Sequence, residues 1–186
     1  MGAKISGIGT NILTIQGVKT LGGVESIDVI PDRIEAGTFL IAVAATGGKV
    51  KLNNVEPKHM ESVISLLRKS NIDILEEKDS IIITSNGLDI KACDMETHEY
   101  PGFPTDLQAQ WMLLMSLASG NSTIKENIYF DRFTHILELN RLGCDVHLEG
   151  GSATIKGNRS LFGAHVMSTD ISCLLYTSPS PRDVEE

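Results

Sequence analysis

The sequence predicts an α/β or α+β domain assembled from a repeated strand–helix unit, and three observations predict it. Short strand-like runs alternate with helix-like ones along the whole chain. The helical runs are of two types, one amphipathic and one apolar around most of its circumference. The order of these pieces then recurs, which is the mark of a duplicated unit.

Taken in order, Ile5-Ser6-Gly7 and Ile12 to Ile15 (ILTI) read as the first strand pair. Pro31-Asp32 opens a helix from Ile34 to Ala45 (IEAGTFLIAVAA), which has few polar positions and is expected to be buried. After Asn53-Asn54-Val55 comes Pro57 to Ser70 (PKHMESVISLLRKS). There Met60, Val63, Ile64 and Leu67 form one stripe, with Lys58, Glu61, Ser65 and Arg68 on the rest, so a half-exposed surface helix is expected. Ile74-Leu75-Glu76 and Ile81 to Thr84 (IIIT) form the second strand pair. Thr105-Asp106 opens the second apolar helix, Leu107 to Ala118 (LQAQWMLLMSLA). Glu126-Asn127-Ile128 then repeats the place of Asn53-Asn54-Val55 and leads into a further helix. Val146-His147-Leu148 and Ala153 to Ile155 are the third pair, and Thr169-Asp170 would open the third buried helix. An Asp at each of these starts is explained by capping, which contributes about 1 kcal/mol. Capping does not explain the whole of YPGFPTDLQAQ (Tyr100 to Gln110), whose prolines, glycine and aromatics make a stiff, wide segment suited to a ligand wall.

Charge and composition exclude several functions. With 16 Lys+Arg against 24 Asp+Glu the net charge is −8, and no basic stripe is present, so nucleic acid is not an expected partner. No apolar run approaches the ~20 residues of a membrane span, and the opening Met1-Gly2-Ala3-Lys4 has no signal-like core, so a soluble cytoplasmic protein without membrane contact is expected. The three cysteines, Cys93, Cys144 and Cys173, have neither disulfide nor zinc spacing. Of the five histidines none has a ligand spacing with another, and His135 reads as a helix residue.

Four segments carry a family resemblance: PDRIEAGTFLIAVAATGG (Pro31 to Gly48), YPGFPTDLQAQ, DRFTHILELNRLG (Asp131 to Gly143) and LFGAHVMSTD (Leu161 to Asp170). From Gly2 to about Ile171 the chain resembles the second half of the UDP-N-acetylglucosamine 1-carboxyvinyltransferases, which are enolpyruvyl transferases. The resemblance implies an inside-out α/β barrel of repeated strand–helix units, incomplete here. It places residues 1–30 at the end of a preceding domain and 31–171 in most of a second one. It also implies transfer of enolpyruvyl from phosphoenolpyruvate to the 3-hydroxyl of UDP-N-acetylglucosamine in peptidoglycan synthesis. No cofactor or metal is implied, and the missing half of the enzyme is the expected structural partner.

Residue by residue, the resemblance implies that Asp106 of Phe103-Pro104-Thr105-Asp106 binds the sugar hydroxyl and acts as its base. Ile128 would contact the sugar nucleotide through its backbone, and Arg132 would oppose anionic charge. Asp32, Thr105 and Asp170 would line the site or serve the structure. The corner departs from the usual F-E-N-R-F of the family, since Tyr129-Phe130-Asp131-Arg132-Phe133 puts Phe-Asp in place of Glu-Asn and alters the charge around Arg132.

The family's glycine-rich cysteine loop and its phosphoenolpyruvate-binding lysine have no counterpart in this sequence, and neither Cys93 nor Cys144 stands in for the loop. The chain by itself is therefore expected to be inactive. Resemblance stops at Ser172. The run Cys173 to Asp183 (CLLYTSPSPRD) reads like a translated transposon-end sequencing adapter, so 172–186 is expected to be a non-native, disordered tail. Two rival readings stay open. One is 3-phosphoshikimate 1-carboxyvinyltransferase, which shares the fold and the phosphoenolpyruvate chemistry; the other is a non-catalytic nucleotide-binding or interaction module.

Overall fold

A computed structural model of the chain describes residues 1–10, 12–157 and 160–167. The predicted tail and Asp170 lie outside them. The chain divides into two compact units, Met1–Ile30 and the residues from Pro31 onward.

The first unit holds one antiparallel pair, β1 (Lys4–Ser6) and β2 (Thr14–Gln16), with Ile5 opposite Ile15. The second strand starts later than the predicted Ile12. In the turn, Thr10 Oγ1 donates to the carbonyls of Gly7 at 2.7 Å and Ile12 at 2.9 Å, so Ile12 serves the turn and the ladder forms beyond it.

In the second unit, Asp32 caps α1 (Arg33–Thr46): its Oδ1 accepts from the amides of Ile34 at 2.7 Å and Glu35 at 3.3 Å. The helix ends at Gly47, whose φ of 78° suits a residue without Cβ. β3 (Gly48–Asn53) follows, then a 3-10 turn over Pro57–Met60 running into α2 (Glu61–Lys69), then β4 (Asp73–Glu76) and β5 (Ser80–Ser85). Beyond β6 (Met95–Glu96), a 3-10 turn over Thr105–Leu107 leads into α3 (Gln108–Leu117). The order β7 (Asn121–Lys125), α4 (Ile136–Arg141), β8 (Asp145–Glu149) and β9 (Ser152–Lys156) then completes the described chain.

The predicted duplication is plain in the sheets. Strand order is β3-β5-β4 in one sheet and β6-β7-β9-β8 in the other. In each, the strand following an inner helix pairs antiparallel with the second strand of the next hairpin, Val50 opposite Ile83 and Thr123 opposite Thr154. α1 and α3 pack on each other, and α1 approaches the 3-10 turn before α3 so closely that a Cβ at Gly37 would collide with the side chain of Leu107. Around them Leu40, Ile41, Ile81, Ile83, Trp111, Met115, Ile124 and Ile155 form one core.

α2 and the 3-10 turn before it bury Met60, Val63, Ile64 and Leu67 and expose Lys58, Glu61, Ser65 and Arg68, as the pattern predicts. α3 has no exposed residue, again as predicted. α1 differs, because Glu35, Phe39 and Ala42 form an exposed stripe, with Phe39 at 51%. A helix apolar all round does not reveal in its sequence which side meets the sheet. A second correction concerns Asp106, which caps nothing: α3 begins at Gln108 without a side-chain cap, and the carboxylate of Asp106 turns to another partner. Among the described residues no helix is long and apolar enough to cross a membrane.

Candidate active site

Strand β7 alternates outward Asn121, Thr123 and Lys125 with buried Ser122 and Ile124. The same period of two carries Glu126 inward, where it is 4% exposed. A carboxyl is tolerated in such a place only when its oxygens are satisfied, and here they are. Oε1 accepts from Thr97 Oγ1 at 2.7 Å and from the amides of Ile128 at 2.8 Å and Tyr129 at 3.0 Å. Oε2 accepts from Thr105 Oγ1 at 2.9 Å and Gln108 Nε2 at 3.2 Å. Thr97 Oγ1 in turn accepts from the amide of Asn127 at 2.9 Å. One side chain thus ties the end of β6, the turn that starts α3 and the corner that follows β7.

On the surface of this knot lies an ion pair. Arg132 Nη1 donates to Asp106 Oδ1 at 2.7 Å and to Thr105 Oγ1 at 3.3 Å. Its side chain is 14% exposed, whereas that of Asp106 is 48% exposed. The hydrogen bond from Arg132 is taken by Oδ1, and the Asp106 side chain is half exposed. The arrangement offers a fixed carboxylate as proton acceptor or hydrogen-bond partner, with a guanidinium beside it able to meet anionic charge.

Of the predicted site residues, Thr105, Asp106, Ile128 and Arg132 come together through Glu126. Ile128 is 40% exposed and so is no core residue, and its amide is pinned by Glu126. Asp32 is spent on capping α1 and is not joined to this network by a hydrogen bond among the described residues. Its neighbour Arg33 lies over the Tyr100 ring at 5.6 Å, which places the start of α1 beside the YPGFPTD loop. Asp131 is exposed, and Arg132 forms its ion pair with Asp106 in the presence of the altered corner. His135 stands at the N-cap of α4, buried, with Nε2 3.1 Å from Met112 Sδ. Cys144 is buried and Cys93 partly so; burial pushes both thiols up from their ordinary pKa.

The sequence reading missed Glu126, Thr97 and Gln108. A signal for Glu126 was present: a charged residue at an inward position of an alternating strand needs partners, and partners imply a network.

Comparison with known proteins follows the same lines. The family model of EPSP synthase (3-phosphoshikimate 1-carboxyvinyltransferase) matches residues 1–172. A UDP-N-acetylglucosamine 1-carboxyvinyltransferase from Geotalea uraniireducens is 47% identical over 178 residues, 94% of this chain and 42% of the relative. One from Bartonella henselae is 51% identical over 173 residues, 92% of this chain and 40% of the relative. The chain thus spans about two fifths of the length of the curated relatives it matches. Among solved structures, the enolpyruvyl transferase NikO from Streptomyces tendae superposes with a TM-score of 0.73 at 20% identity, covering 84% of this chain and 37% of that one. EPSP synthase from Acinetobacter baumannii gives 0.53 at 21% identity, covering 88% and 38%. These two likenesses show the fold.

Proposed function

The chain belongs to the EPSP synthase family of enolpyruvyl transferases, and from that membership we propose that it carries the acceptor wall of an enzyme acting on UDP-N-acetylglucosamine. The reaction is transfer of enolpyruvyl from phosphoenolpyruvate to the sugar 3-hydroxyl with release of phosphate. The hydroxyl oxygen adds to C2 of phosphoenolpyruvate while its methylene carbon takes up a proton. Elimination of phosphate with loss of a proton from that carbon restores the double bond. A group must accept the hydroxyl proton in the first step, and in this reading that group is Asp106.

The observation that carries this reading is the pair itself, a half-exposed Asp106 carboxylate held through Oδ1 by Arg132 at 2.7 Å. In this reading Arg132 also balances anionic charge of the substrates, Ile128 borders the sugar nucleotide through its backbone, and Asp32, Thr105 and Asp170 line or support the site. Residues 1–30 belong to the end of the preceding domain and 31–171 to the second. Handling of phosphoenolpyruvate falls to the length of the relatives outside the matched stretch. The product commits the sugar to peptidoglycan, which places the enzyme in the cytoplasm and its role in cell-wall growth, cell shape and division.

A titration with UDP-N-acetylglucosamine followed by amide resonances tests the site. Shifts are expected at Thr105 to Gln108 and at Ile128 and Tyr129, and none in β1 and β2. Absence of shifts there, or equal shifts with shikimate 3-phosphate, would contradict the reading.

A further inference from the structure

We propose that Glu126 is the positioning residue of this site, acting through Thr105 on the Asp106–Arg132 pair without touching substrate. The inference rests on the reading of the site given above. Glu126 is almost fully buried, while the pair it supports is open to solvent on the Asp106 side. Its two oxygens divide the work. Oε1 gathers Thr97, Ile128 and Tyr129 and so shapes the corner from which Arg132 projects. Oε2 gathers Thr105 and Gln108 and so shapes the turn that carries Asp106.

The Thr105 hydroxyl is the link. It has one proton, and that proton is given to Glu126 Oε2 at 2.9 Å. Its oxygen is thereby presented as an acceptor to Arg132 Nη1 at 3.3 Å, the same nitrogen that holds Asp106 Oδ1. An acceptor-only carboxylate at 126 therefore fixes the direction of the Thr105 hydroxyl, and that direction helps fix where the guanidinium sits. Displacements on the order of 1 Å at a reacting pair can cost about 100-fold in rate.

The test is made in the complete enzyme with two variants, Glu126→Gln and Thr105→Val. Glutamine keeps an oxygen towards Ile128 and Tyr129 but sets an NH2 against Thr105 and Gln108, so the hydroxyl must reverse. Valine removes the hydroxyl and leaves Glu126 in place. Both variants are expected to lower kcat per titrated active site at least about tenfold with KM for UDP-N-acetylglucosamine within about threefold, because the reacting groups move while the binding surface stays. In Glu126→Gln the exchange of the Ile128 and Tyr129 amides is expected to stay close to that of the parent. A merely structural role would instead lower thermal stability and the active fraction, leaving kcat per active site unchanged. That result, with kcat per site within about twofold of the parent in both variants, overturns the proposal. If Glu126→Gln does not fold, Thr105→Val decides alone. If the parent does not turn over the sugar nucleotide, the functional reading fails, and the Arg132 Nε–H resonance still decides this one. A shift in both variants supports the tie, and an unmoved resonance in both overturns it.

Discussion

Asp106 and Arg132 form an asymmetric pair: the Arg132 side chain is largely buried and that of Asp106 is half exposed. Removing the ability of Asp106 to take a proton, without changing its shape, should therefore separate chemistry from binding. Asp106→Asn in the complete enzyme is expected to lower kcat by roughly 10²- to 10⁴-fold with KM for UDP-N-acetylglucosamine nearly kept, measured by steady-state phosphate release. A risen KM with kcat kept would make Asp106 a binding group only. The thiols offer an independent check of burial. Burial raises the pKa of Cys93 and Cys144, so less thiolate is present at a given pH. Alkylation at pH 8 followed by peptide mass analysis should find Cys144 protected and Cys93 slow, with both reacting fast in urea. At this scale Asp106, Arg132 and Ile128 were legible because they sit in recognisable motifs, whereas Glu126 needed its strand period to be followed one residue past the end of the strand.

At the scale of elements, alternation and amphipathicity carried most of the information. The three strand pairs, the surface helix α2 and α3, which has no exposed residue, follow directly from pattern. What pattern could not supply was direction within an all-apolar helix, hence the exposed stripe of α1 through Phe39. Nor could it tell a capping Asp from one aimed at a partner far along the chain. Asp32 and Asp106 occupy equivalent places in the two repeats, yet one caps and the other pairs with Arg132. Asp32→Ala should therefore cost about 1 kcal/mol in urea unfolding, through loss of the cap on α1. Gly37→Ala should cost about 1–3 kcal/mol, since its Cβ meets Leu107 where α1 touches the turn that leads into α3. A neutral Gly37→Ala would mean that α1 and the turn before α3 are not in such close contact.

At the scale of the whole molecule, β3-β5-β4 and β7-β9-β8 repeat one strand order, β6 being added to the second sheet, and α1 and α3 share one core with them. The paired acidic and basic side chains of the candidate site lie on the connections of the second repeat, at the turn before α3 and the corner after β7. Family membership follows from the match over residues 1–172, and relatives of about 50% identity carry the sugar-nucleotide name over the matched stretch. The proposed acceptor is UDP-N-acetylglucosamine. The most direct test is phosphate release from phosphoenolpyruvate by the complete enzyme, offered UDP-N-acetylglucosamine or shikimate 3-phosphate in separate reactions. Release with UDP-N-acetylglucosamine and none above background with shikimate 3-phosphate is the predicted result; release with shikimate 3-phosphate, or with neither acceptor, would contradict it.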